Sequence, residues 1–133
     1  MKKTEVGCAI IHKKGELLIA QRKSGVFLGN YWEFPGGKRE KDESFEECLI
    51  REVKEELGVT IKPVRFLKKE EYIYPEKTVM LHFYICEWVK GKPERLDCQD
   101  FKWVKPAELR NFQFPEGDEE VIEEIIKNKD RIS

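Results

Sequence analysis

No apolar run in this chain approaches the ~20 residues that a membrane-spanning helix needs. The first residues lack the apolar core of a leader: Met1-Lys2-Lys3-Thr4-Glu5 turns straight into a strand-like run. Charge of one sign is missing too. With 25 Lys+Arg against 26 Asp+Glu the net charge is −1, which excludes a strongly basic nucleic-acid binder held by bulk electrostatics. Histidine is scarce, with only His12 and His82, and the four cysteines (Cys8, Cys48, Cys86, Cys98) form no C-x-x-C pair. The spacing of a zinc site is therefore absent, and the cysteines read as buried or half-buried free thiols in a reducing compartment. Nine glycines and six prolines are too few for a collagen-like or low-complexity chain. What remains is a chain of 133 residues, 40% of them hydrophobic, enough for one core with little room for a second. A single domain over 1–133, soluble and cytoplasmic, is expected.

Strand-like runs are expected at Val6–Ile11 and Leu17–Gln21, joined by the turn Lys13-Lys14-Gly15-Glu16. Lys23–Asn30 reads as a loop, Tyr31–Phe34 as a short aromatic strand, and Pro35-Gly36-Gly37 as a sharp break. Ser44 and Glu47 have the spacing of a capping box, no Pro or Gly follows until Leu57, and Gly58 stands where a left-handed C-cap would. A helix over 44–57 is expected. Strand material follows at Val59–Phe66, then at Glu71–Tyr74 and Val79–Val89 as an antiparallel pair joined near Pro75, and at Phe101–Val104. Pro106–Leu109 reads as a short helix and Glu119–Lys127 as an amphipathic one. Strands mixed with helices, without regular alternation, point to an α+β or mixed-sheet architecture.

Wound at ~100° per residue, the 44–57 helix puts Leu49, Val53 and Leu57 on one arc, with Ile50 at its edge. Glu52, Glu55 and Glu56 crowd the neighbouring arc. Like charges at these spacings cost a few tenths of a kcal/mol each, and in the last turns the helix dipole opposes anions as well. One reading is a solvated acidic face. The other is a compensating cation, and hard carboxylate oxygens suit magnesium or manganese. Gly36-Gly37 just upstream allows close backbone approach to a ligand.

Together these residues resemble one long pattern. From Gly37, five residues lead to Glu43 and seven more to Arg51-Glu52; then come Val53, Lys54, Glu55-Glu56, Leu57, Gly58 and Val59. This is similar to the complete Nudix box, with every specified position filled. Val6–Arg22, Glu33–Lys38, Trp103 and Phe114-Pro115 with Glu119 and Val121-Ile122 are likewise similar to MutT-type Nudix hydrolases. The resemblance implies an α/β/α sandwich with a mixed β-sheet. It also implies hydrolysis of a nucleoside diphosphate linked to another group, with (d)NTPs such as 8-oxo-dGTP cut to the monophosphate and pyrophosphate.

Carried over residue by residue, the resemblance makes Glu52, Glu55 and Glu56 metal-binding carboxylates, with Glu52 favoured as the general base. It makes the Gly37 carbonyl a metal ligand, Lys38 a phosphate contact that stabilises the leaving group, and Glu43 and Arg51 structural, Arg51 orienting a carboxylate by a forked hydrogen bond. A further metal carboxylate is Asp97 by position, with Asp100 as rival, and either also reads as an exposed loop acid. Arg22 matches a phosphate contact or is a solvent-facing strand end. Phe34 packs near the base, in the core, or both. Lys77 aligns with a basic residue that approaches the nucleotide. Asp118 falls where the MutT type uses Asn to read the purine edge, and otherwise caps the last helix.

The cofactor implied is Mg2+, or Mn2+; the substrate is a nucleoside triphosphate; nucleic acid and membrane are not expected as partners, and the chain is expected to be a monomer or homodimer. Two alternatives stand beside oxidised purine nucleotides: the same chemistry on CTP or a modified dCTP, and a catalytically silent Nudix module that binds a nucleotide or a partner. An intact acidic triad argues against the last.

Overall fold

The computed structural model describes residues 3–128; residues 1–2 and 129–133, the ends of the expected domain, lie outside them. Seven strands form one mixed sheet: β1 (Lys3–Lys13), β2 (Glu16–Gln21), β3 (Trp32–Glu33), β4 (Gly36–Lys38), β5 (Thr60–Ile73), β6 (Thr78–Lys90) and β7 (Asp100–Val104). β1 and β6 run parallel, and every other pairing is antiparallel. Helix α1 (Phe45–Leu57) covers one face of the sheet. Helix α2 (Glu119–Lys127) and a 3-10 turn at Pro106–Asn111 cover the other.

Period-two alternation builds both layers. Ala9, Ile11, Leu18 and Ala20 pack with Leu49, Val53 and Leu57 of α1, while Ile10, Leu17 and Ile19 pack with Leu109, Val121, Ile122 and Ile125. The three-layer α/β/α arrangement and its mixed sheet are as expected. All four cysteines are free and buried. Among the described residues no helix is long and apolar enough to cross a membrane.

α1 starts on the expected capping box, with Ser44 Oγ accepting from the Glu47 N–H at 3.0 Å and Glu47 accepting from the Ser44 N–H at 2.9 Å. It ends at Gly58, whose φ of 71° suits glycine.

The functional region arises where β1 and β2 splay. They pair only over Ile11–Lys13 and Glu16–Leu18, beside their turn. Beyond it β3 takes the freed edge of β2 and β4 the freed edge of β1, as Ala20↔Glu33 and Gly7↔Gly37. Pro35-Gly36-Gly37 therefore does not break the sheet: Gly36 and Gly37 form β4. A Cβ on Gly36, whose φ is 157°, would collide with the Gly7 carbonyl of β1. Gly36→Ala is expected to destabilise the fold by about 3 kcal/mol or more, read as a drop in Tm with the fold's cooperativity kept.

Two further differences have local causes. β5 is continuous, because register shifts near Thr60/Ile61, Pro63/Arg65 and Phe66/Lys68 let its polar middle stay paired to β6. The short helix expected at Pro106–Leu109 is a 3-10 turn running to Asn111, and a second 3-10 turn, Glu116–Asp118, precedes α2.

Candidate active site

Three elements meet at the splay: the β3–β4 segment, the last turns of α1, and the 3-10 turn ahead of α2. Glu56, on α1, is only 7% exposed, and its Oε1 accepts from the Gly36 N–H at 3.1 Å. Glu52 lies one turn earlier with its carboxylate against Gly37, so close that a Cβ on Gly37 would strike it. Glu55 is half exposed, turned toward solvent and Arg51.

Arg51 holds this helix face together. Its Nε and Nη2 donate to the two Glu43 oxygens at 2.7 and 3.0 Å; its Nη1 donates to Glu55 at 2.9 Å and to Glu52 at 3.3 Å; its Nη2 also reaches the Lys38 carbonyl at 3.2 Å. The forked bond holds Glu43 down at a pKa of about 2.

The remaining carboxylates go the other way. Burial pushes Glu56 well above the ordinary carboxylate range, and the charges of Glu33, Glu52 and Asp97 push it further, against the opposing Gly36 N–H. Burial also raises Glu52, with the Arg51 charge opposing, and raises Glu33 against its ion pair with Arg22 at 3.0 Å.

Negative charge is thus concentrated between α1 and the glycine pair. Among the described residues no three Asp, Glu, His or Cys side chains converge into a ready-made metal cage. The donor set still fits a magnesium-like ion: it offers hard oxygens from Glu52 and Glu56 on either side of the Gly36-Gly37 backbone, and such ions complete their shell with water and substrate phosphates. Asp97 belongs to this field, since its charge reaches Glu33 and Glu56, although its carboxylate is exposed and paired with Lys23 at 2.9 Å. Asp100 accepts from its neighbour's Phe101 N–H at 2.8 Å and heads β7.

A cleft of about 230 Å³ opens beside the glycines. Arg22, Phe34, Gly37, Lys38, Lys77 and Asp118 all line it, so one space gathers the nucleotide-contact candidates that lie far apart in the chain. Phe34 serves core and cleft together: it is 3% exposed and packs on Phe83 and Phe114. Lys77 is stacked over Phe27, its Nζ 4.2 Å from the ring centre, at the mouth.

Asp118 does not cap α2, as it makes no side-chain bond to the helix's first turn. It is 6% exposed, and burial, with the nearby Glu33 charge, pushes its carboxyl up to about 8.

Glu33, Cys8, Phe27 and Tyr74 also line the cleft, and the sequence assigns none of them a site role. For Glu33 there was a faint signal, a lone acid between two aromatics. Its partner Arg22 arrives only through the β2–β3 pairing.

Residues 1–125 match the family model described as the NUDIX domain. The chain is 38% identical over 115 residues to an 8-oxo-dGTP diphosphatase of Buchnera aphidicola subsp. Acyrthosiphon pisum, covering 84% of this chain and 93% of that protein. It is 31% identical over 126 residues to the CTP pyrophosphohydrolase of Escherichia coli, covering 95% of this chain and 93% of that one. The solution structure of the E. coli ORF135 protein superimposes with a TM-score of 0.81 at 29% identity, covering 96% of this chain and 91% of that one.

Proposed function

The chain belongs to the NUDIX domain family, and on that premise we propose that it is a MutT-like nucleoside triphosphate pyrophosphohydrolase, with 8-oxo-dGTP as the favoured class of substrate in the cytoplasmic nucleotide pool. The observation that carries this reading is the junction of two sites. A base-sized cleft lined by Phe34 and Asp118 abuts, through Gly37 and Lys38, the acidic face of α1. At about 230 Å³ the cleft is smaller than the ~300–1,000 Å³ typical of small-molecule sites. It therefore takes the base, and the phosphates run out along Gly37 and Lys38 toward Glu52 and Glu56.

Nudix hydrolases work with a divalent cation, here Mg2+ or Mn2+. Bound among Glu52, Glu55, Glu56, the Gly37 carbonyl and Asp97, such an ion supplies charge neutralisation at the phosphates and a more acidic water. The chain does the rest. Glu52, raised by burial, accepts the proton of the attacking water. Lys38 and Arg22 compensate phosphate charge, and Lys38 steadies the departing pyrophosphate. Arg51 keeps Glu52 and Glu55 oriented from behind.

Asp118 supports a purine reading. At neutral pH its carboxyl is held mostly protonated by burial, so it presents one O–H donor and one C=O acceptor, the pattern of an Asn amide. The second reading, CTP or a modified dCTP, would use the ionised form, which accepts from the cytosine N4 amine; similarity to a CTP pyrophosphohydrolase favours it. A silent binding module has no need of the full acidic triad.

The test is pyrophosphate release with Mg2+ over 8-oxo-dGTP, dGTP, CTP, dCTP and 5-methyl-dCTP, compared by kcat/KM. A preference for 8-oxo-dGTP over dGTP of 100-fold or more is expected. A preference for the cytidine nucleotides would keep the catalytic assignments and overturn the substrate. Silence across the panel in a folded, metal-binding protein would overturn both.

A further inference from the structure

The geometry points to Tyr72, on edge strand β5 and outside the cleft, as a positioning residue for base selection: its hydroxyl latches the turn that aims Asp118 inward, while its ring braces the cleft's mouth. This rests on the reading of Asp118 as the base-contacting group.

Asp118 does not fix itself by capping α2, so its direction depends on how the Glu116–Asp118 turn is seated. Backbone supplies one tie, the Asp118 N–H to the Pro115 carbonyl at 3.0 Å. Packing supplies another: Gly117 is buried so closely that a Cβ there would lie 3.0 Å from Leu81 Cδ1 and 3.5 Å from Tyr72 Cβ. The third is the Tyr72 hydroxyl, which donates a hydrogen bond to the Glu116 carboxylate. Tyr72 and Glu116 are absent from the cleft wall, whereas Leu81, Tyr74 and Asp118 form part of it.

The same ring continues to the mouth. Tyr72 and Tyr74 have ring centres 4.7 Å apart, and Tyr74 meets Phe27 edge-on at 5.1 Å. Phe27 in turn carries the Lys77 ammonium. One residue thus links the turn that presents Asp118 to the aromatic pair at the entrance, and a change there moves both walls without touching α1 or β4.

The experiment compares wild type with Tyr72→Phe, Glu116→Ala, Asp118→Ala and the double variant Tyr72→Phe/Asp118→Ala on 8-oxo-dGTP and dGTP, recording kcat and KM separately. Tyr72→Phe removes one oxygen and keeps the ring. It is expected to raise KM for the preferred nucleotide about 5- to 20-fold, the scale of one lost charge-assisted hydrogen bond, with kcat within about twofold. The preference between the two nucleotides shrinks by a similar factor. Glu116→Ala reproduces this, and Tyr72→Phe/Asp118→Ala discriminates no worse than Asp118→Ala alone, because both act on one contact. A lower Tm with unchanged preference, or an equal loss of kcat on both nucleotides, would overturn the role of Tyr72 where Asp118→Ala does abolish preference. If Asp118→Ala leaves preference intact, the base-reading assignment falls and the role of Tyr72 with it.

Discussion

Glu56→Gln is expected to lower kcat by about 10³-fold or more, the scale on which metal-assisted and acid–base groups act, and to raise Tm in the absence of metal at pH 8. The two effects share one cause. Gln keeps the volume and the oxygen that accepts from the Gly36 N–H, so the junction of α1 and β4 persists. It loses the charge that burial and the Glu33, Glu52 and Asp97 carboxylates all oppose. A carboxyl whose pKa is higher in the folded than in the unfolded chain binds more protons when folded. Its effect on stability worsens as pH rises from the unfolded value through the folded one. The gain in Tm therefore grows from pH 4 to pH 8 in EDTA-treated protein. Glu55→Gln separates the causes: Glu55 is exposed and bonded to Arg51, so its loss also cuts turnover but yields no such gain in Tm. Full activity in both variants would remove the metal assignment. Lost activity with no pH-dependent gain for Glu56→Gln would leave catalysis intact as an argument and remove the electrostatic one.

Why α1 and its carboxylates were legible in the sequence, and β4 was not, follows from the range of the interactions. The capping box, the 3.6-residue spacing of Leu49, Val53 and Leu57, and the Gly58 stop all act within one or two turns. Pro35-Gly36-Gly37 has the local chemistry of a turn, and only the tertiary partner Gly7 on β1, which leaves room for no Cβ at Gly36, makes a strand of it. β5 failed as one element for a related reason. Its bulges shift the alternation three times, so no single period of two runs through Thr60–Ile73. The same rule divides the site. Box residues could be placed by spacing, but Arg22, Phe34, Lys77 and Asp118 could be named only by resemblance, because what unites them is the splay of β1 from β2. Glu33 carries only the faint mark of an acid between two aromatics: nothing local makes it the partner of Arg22 or a charge that raises Glu56 and Asp118.

Asp118→Asn tests the part of the site where sequence alone pointed two ways. By side-chain identity a carboxylate replaces an amide, which reads as a change of base. Burial reverses that inference, since a carboxyl with a pKa of about 8 is largely neutral at pH 7. The sign follows. Between the unfolded value near 4 and the folded value near 8 the native state holds the extra proton, so Asp118 costs stability progressively as pH climbs through that window, by up to about 5 kcal/mol. The neighbours reinforce this: Glu33 repels the ionised form, and an ionised Asp118 in turn opposes ionisation of Tyr74 and of Cys8. Asp118→Asn has no proton to lose. It should match wild type in Tm below about pH 4 and exceed it by roughly 15–20 °C at pH 9, taking about 3–4 °C per kcal/mol for a domain of this size. The nucleotide preference follows the same curve. Wild type and Asp118→Asn should both prefer 8-oxo-dGTP at pH 6.5, where each offers a donor and an acceptor. Above pH 8.5 wild type should lose preference by about tenfold, as one buried hydrogen bond changes sense, while the Asn variant holds it. Tm curves that stay parallel from pH 5 to pH 9, with wild type the less stable throughout, would mean that Asp118 is ionised over the whole range, and would turn the proposed base pocket from a purine edge toward the cytosine amine.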